Sequence, residues 1–161
     1  MPSHRYWQRG LQTASSPCFR QKTQIMPDIF PPSKRSRIMA NVKGRNTSPE
    51  RLIRKCLRRL HCRFRGNVRT IPGKPDFVLA GQRKLIFMHG CFWHGHNGCP
   101  RATIPETNRA FWKRKIEGNS TRDVRILRLL RKDGWKVLII WQCETKDMTT
   151  LERRILNFMA R

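Results

Sequence analysis

Acidic residues are scarce in this sequence. Ten Asp and Glu stand against 35 Lys and Arg, leaving a formal net charge of +25 and a pI near 11.6. An imbalance of that size says little about fold and much about partners, because polyanions are drawn to it and nucleic acid is the usual one. Long apolar runs are missing too. No stretch approaches the roughly 18 to 20 apolar residues of a membrane-spanning helix. Residues 1–25 carry basic side chains without the apolar segment of a secretory signal. The expected location is therefore the cytoplasm. No internal repeat is present. Charge alone leaves both an enzyme and a ribosomal-type scaffold open.

The 161 residues suffice for one domain with a real core and no disulfide staples. Residues 1–33 mix Ser, Gln, Pro and basic residues without period and read as a disordered extension or basic arm, with a single domain over 34–161. Met26, followed by PDIFPPSKRSRIM, reads as an alternative start of translation. In SKRSRIMANVKGRN, Ile38, Met39 and Val42 can share one side of a short helix ordered along a phosphate backbone; a solvated basic arm is the other reading.

Ordered structure is expected from TSPERLIRKCLRRLH. There Ser48 serves as N-cap, Pro49 suits the first helical position, and Leu52, Ile53, Cys56, Leu57 and Leu60 form an apolar stripe opposite a basic face. A weak strand follows in CRFRGNV. A hairpin then pairs Asp76–Ala80 with Lys84–His89 around Gly81 and Gln82. Phe111, Trp112 and Ile116 mark a short helix from about Thr107. Ser120 and Asp123 resemble a capping box opening another, which Gly134 ends. WKVLIIWQC reads as a strand covered on both faces, and Thr149 with Glu152 as the cap of a last helix. The order predicts an α/β fold, a mixed sheet flanked by helices.

The densest chemistry lies in HGCFWHGHNGC, residues 89–99. The six cysteines are Cys18, Cys56, Cys62, Cys91, Cys99 and Cys143, and in a reducing compartment a cluster of thiols is more often a metal site than a disulfide. Cys91, His96 and Cys99 offer three zinc ligands from one loop. Cys143, at the end of the apolar strand, is the strongest remote fourth, with His94 the local rival. A closed Cys3His set would be structural; two buried unmetallated thiols are the alternative. Cys56 reads as a core thiol, and Cys18 and Cys62 have no partner pattern. Trp135 and Trp141 are assigned to the core.

Asp76 in the doublet PD places a carboxylate at a strand start, as in nucleases of the PD-(D/E)xK type. The next strand, however, reads Leu85, Ile86, Phe87, Met88, His89, without the second acid or the lysine. The doublet alone is weak. Taken together, KRSRIMANVKGRNTSPE, GKPDFVLAGQRKLIFMHGCFWHGHNGC, FWKRKIEGN and GWKVLIIWQC resemble the very short patch repair (Vsr) DNA mismatch endonuclease family in motif, order and spacing, from about Met26 to the C-terminus.

The resemblance implies a restriction-endonuclease-like core with a structural zinc site. It implies Mg2+-dependent nicking 5′ to the T of T:G mismatches that arise when 5-methylcytosine deaminates. Asp76 would bind Mg2+ by its carboxylate and Met88 by its main-chain carbonyl. His89 and His94 would line the phosphate, one of them as the base, and Glu50 would orient metal-bound waters. Phe92, Trp93 and Trp112 would enter the DNA stack, with Met39 wedging from the opposite groove. Partners would be mismatched duplex DNA and, functionally, a cytosine-5 methyltransferase, with the protein acting as a monomer. The competing classes are a zinc-stabilised nucleic-acid-binding module without catalysis and a restriction nuclease of the same fold.

Overall fold

Thr47, one residue earlier than expected, caps the first helix, α1 (Ser48–Arg59): its hydroxyl accepts from Glu50 N while the Glu50 carboxylate accepts from the Thr47 backbone N–H. Ser48 is instead the first helical residue, because a capping box needs its acid three positions after the cap and Glu50 fits only Thr47. The computed structural model describes residues 44–160 together with Pro31, Lys34, Arg37, Ala40 and Asn41. The readings of Cys18, Met26, Ile38, Met39 and Val42, and of the segment 1–30, lie outside the described residues. On α1, Ile53, Cys56 and Leu57 are buried while Arg51, Lys55, Arg58 and Arg59 are exposed, as the stripe predicts.

Four strands form one sheet in the order β1 (Phe64–Gly66), β2 (Phe77–Leu79), β3 (Lys84–His89) and β4 (Lys136–Trp141). The first three pair antiparallel, with Phe77 opposite Ile86, and β4 runs parallel to β3, with His89 opposite Trp141. A parallel return needs a crossover, supplied here by the long α2 (Arg109–Lys132). The sequence predicted two helices there. Neither Gly118 nor Ser120 interrupts the helix, and Asp123, read as a cap, lies in its middle. The N-cap of α3 (Met148–Ala160) also differs, since the Asp147 carboxylate accepts from Thr149 N at 3.0 Å and from Thr150 Oγ1 at 2.5 Å. Glu152 pairs with Arg59 instead.

Alternation along the strands divides the core in two. Phe77, Leu79, Ile86 and Ile140 pack with α1 and α3 through Ile53, Leu57, Leu151 and Ile155. Leu85 and Phe87 face the other way, onto Leu130 of α2, with Val78, Ile126, Trp135 and Val137 around them. The apolar β4 is thus covered on both faces, as expected. Each fully buried Leu or Ile stabilises by about 1.5–3 kcal/mol, so the α1/α3 side carries most of the apolar stabilisation. The thinner α2 side gives way, at the C-terminal end of β3, to polar groups and a cavity.

Candidate active site

Asp76 immediately precedes β2; its carbonyl accepts from Asn67 N at 2.8 Å while its carboxylate turns to the backbone of the adjacent β3. Its Oδ2 accepts from Met88 N at 2.7 Å. Burial pushes its carboxyl up to about 6, against the lowering effect of that hydrogen bond; the charge of Glu50 adds to the rise. The approach to Asp76 is tight. Gly73, in the left-handed region at φ 79°, has no room for a side chain, because a Cβ there would stand 2.5 Å from Ile126 Cγ2.

His89 ends β3, buried, and His94 follows from the loop to stack on it with ring centroids 3.9 Å apart and planes at 14°. The Nδ1–H of His94 donates to Asp123 Oδ2 at 2.5 Å, linking the loop to the middle of α2. Burial first, then the neighbouring His94 and Arg122, push His89 down to about 4, so its ring is neutral at physiological pH. Asp76, Met88, His89, His94 and Asp123 line one cavity of about 460 Å3, with Lys74 and Arg122 among its walls. Asp76 and both imidazoles therefore share a solvent-accessible site. Glu50 does not line it. Its carboxylate accepts from Asn46 N and Thr47 Oγ1, each at 2.8 Å, and it acts on the cavity through its charge.

A second cluster adjoins. The ligating atoms of Cys91, His96, Cys99 and Cys143 lie within 4.8 Å of one another, and Cys143 Sγ stands 3.4 Å from His96 Nδ1. In tetrahedral zinc, sulfur and nitrogen ligands sit about 3.6 Å apart, so the donor set and its spacing fit that ion. His94, the local rival as fourth ligand, is instead engaged with Asp123. Cys143 lies not on β4 but in the 3-10 turn Gln142–Lys146 directly after it. Cys56 is wholly buried, its thiol pushed up to about 11 mainly by burial, as a core thiol should be.

Trp141, assigned to the core from sequence, is part of the site. Its ring lies flat on His96 at 4.1 Å and meets His89 edge-on at 5.4 Å, so one side chain braces a thiol-cluster member and a cavity histidine. Phe92, Trp93 and Trp112 pack edge-to-face with centroids 5.2 to 6.0 Å apart, and the half-exposed Phe111 joins them. Asn119 Nδ2 donates to Trp93 O at 2.8 Å, fixing the loop to α2. Asp123, Asn119 and Trp141 escaped sequence reading; only their place in the fold reveals them.

Cutting a phosphodiester requires a group to take a proton from water and a means of offsetting phosphate charge. The cavity offers both on a strongly basic chain, and that combination defines a nuclease. A family model described as DNA mismatch endonuclease Vsr matches residues 27–100. The Type II nicking enzyme V.NmeAIP of Neisseria meningitidis is 42% identical over 84% of this chain and 96% of its own length. V.XorIIP of Xanthomonas oryzae, also a Type II nicking enzyme, is 40% identical over 83% and 98%. The DNA mismatch endonuclease Vsr of Escherichia coli is 39% identical over 82% and 84%. The chain belongs to the DNA mismatch endonuclease Vsr family. Among the described residues no helix is long and apolar enough to cross a membrane.

Proposed function

We propose that the protein nicks one strand of duplex DNA 5′ to the T of a T:G mismatch left by deamination of 5-methylcytosine, using Mg2+ in the cavity and structural Zn2+ beside it. The observation that carries this reading is the single cavity shared by Asp76, His89 and His94, next to an aromatic trio on the same loop. The sheet and its flanking helices suit a restriction-endonuclease-like core.

Asp76 and the Met88 carbonyl would hold Mg2+. A residue's N–H and C=O leave the same edge of a strand; Met88 N–H meets the Asp76 carboxylate, so its carbonyl lies on that edge too. Both are hard oxygen donors of the kind Mg2+ takes while keeping several waters. When bound, the ion offsets phosphate charge and makes a water more acidic.

His94 is the base: with Nδ1–H committed to Asp123, its Nε2 is left to accept the proton of the attacking water. His89, neutral and stacked beneath it, fixes the ring plane and hydrogen-bonds the phosphate. Glu50, its carboxylate held by Asn46 and Thr47, acts on the bound ion through its charge rather than by direct contact with the cavity's waters. Cys91, His96, Cys99 and Cys143 hold Zn2+, which keeps the loop and its rings in place. Phe92, Trp93 and Trp112 enter the stack beside the mismatch, where opening a base step costs least. The protein works as a monomer on lesions that arise when 5-methylcytosine, the product of a cognate cytosine-5 methyltransferase, deaminates to thymine.

Nicking assays on T:G and fully paired duplexes, with and without Mg2+, test this. Only the T-bearing strand of the T:G duplex should be cut, only with Mg2+, and Asp76→Ala should abolish cutting while binding stays nearly intact. Full-rate cutting by Asp76→Ala overturns the catalytic assignment. Binding without cutting supports a non-catalytic module, and cutting both strands of a paired site supports a restriction nuclease.

A further inference from the structure

Nucleases that hold a metal beside a strand-edge carboxylate commonly place a lysine on the adjacent strand, and β3 offers none to the cavity. Its only lysine, Lys84, is buried, with its ammonium donating to the Met159 carbonyl at the end of α3 at 2.5 Å. Two cations do line the cavity, Lys74 and Arg122. Arg122 is 3.6 Å from Asp123 Oδ1. Among the described residues no hydrogen bond or ion pair holds the Lys74 side chain.

The backbone of Lys74 adds an independent observation. Its φ is 52°, in the left-handed region that favours Gly and Asn, and it precedes Pro75, which restricts it further. Three other non-glycine residues of this kind are asparagines. Arg83 uses its side chain to stack on Trp135, and His61 follows the end of α1, where a left-handed residue is ordinary. Lys74 has neither excuse. A strained residue kept where Asn would relax the chain points to its side chain.

We propose that Lys74 is a phosphate-binding residue of the cavity, its ammonium meeting a non-bridging oxygen of the scissile phosphate from the turn before β2, in place of the missing β3 lysine. This rests on the nicking reading above. The left-handed backbone, two residues before Asp76, presents the long side chain to the cavity that the carboxylate lines. A mobile, strongly hydrated point charge suits a phosphate whose geometry changes during cleavage.

Lys74→Asn, Lys74→Gln and Lys74→Arg are compared with wild type in single-turnover nicking of a T:G duplex, in thermal melting, and in binding with Ca2+ replacing Mg2+. The binding duplexes carry either the natural phosphate or a neutral methylphosphonate 5′ to the mismatched T. Lys74→Asn should nick about 100-fold more slowly, as when one charge-stabilising donor is lost, yet melt at or above the wild-type temperature. Lys74→Arg should recover most of the rate. Lys74→Gln should bind the natural duplex about tenfold more weakly, the scale of one charged hydrogen bond, and the neutral duplex as wild type does. The proposal is overturned if Lys74→Asn nicks within threefold of wild type, or if Lys74→Gln weakens binding equally on both duplexes. Wild-type protein that leaves T:G duplexes uncut overturns the nicking reading and this one together; nicking insensitive to Lys74 overturns only this one.

Discussion

His94 and Asp123 meet at 2.5 Å across 29 residues of sequence, and their contact ties the loop after β3 to the middle of α2. The carboxylate can only accept, so it fixes which ring nitrogen keeps its hydrogen and which faces the cavity. Asp123→Asn can donate as well as accept and no longer enforces that choice. It should lower the single-turnover nicking rate by about 10^2–10^4-fold, with duplex affinity in Ca2+ unchanged. Equal losses in rate and affinity would make Asp123 a structural strut.

The raised Asp76 carboxyl makes a prediction about stability that needs no substrate. Burial favours its neutral form, so the folded chain holds a proton that the unfolded chain releases between pH 3.8 and about 6. Stability of the metal-free protein therefore falls as pH rises through that window, and the full cost is present above it. The separation of the two values corresponds to at most ~3 kcal/mol. Asp76→Asn, which can still accept from Met88 N–H, should be the more stable protein in urea titrations at pH 7.5 without Mg2+. The advantage should vanish near pH 4. Added Mg2+ should raise the midpoint of wild type alone. A variant less stable than wild type at pH 7.5 would show that the carboxylate stabilises the fold it is here said to strain.

What was legible beforehand follows a physical line. The strands, the stripe of α1 and the Cys91, His96 and Cys99 spacing were readable because periodicity and ligand spacing are local; the choice between Cys143 and His94 as fourth member needed the fold. The N-caps of α1 and α3 were misplaced because neighbouring Thr, Ser and Asp compete for one role, and only backbone dihedrals decide. The second helix start read at Ser120 with Asp123 failed for a different reason. Asp123 looks like the acid of a capping box, but it is committed across space to His94, as its neighbour Asn119 is to Trp93 O, and the helix runs through both. Trp141 looked like core because its β4 neighbours are; its register opposite His89 places it in the site.

The thiol cluster should behave as a folding element. Cys91 is wholly buried, and burial pushes the Cys143 thiol up to about 11, so without an ion Cys143 keeps its proton. Binding of Zn2+ would displace that proton and couple the ion to folding. Purified protein should carry about one zinc per chain by elemental analysis. Stripping it, or making Cys143→Ser, should lower the melting midpoint and increase exposure of Trp93 and Trp112 to a fluorescence quencher, and Mg2+ should reverse neither. A stripped protein with unchanged melting would reduce the cluster to packed thiols.

The aromatic trio divides labour between fit and selectivity. Each ring of Phe92, Trp93 and Trp112 meets the other two edge-on, so the cluster is pre-packed before DNA arrives and little side-chain entropy remains to be lost. Under the proposed insertion, removing one ring would forfeit stacking worth about 1–3 kcal/mol per base, while leaving phosphate contacts and their salt dependence in place. The loss falls on mismatched duplex, the only one whose step opens cheaply. Trp112→Ala should therefore cut the T:G over T:A binding preference by about tenfold or more, with affinity for paired DNA and the slope of affinity against salt unchanged. Competition binding at several salt concentrations reads both quantities. A uniform loss on both duplexes would place the ring in the packing of α2 rather than in the DNA.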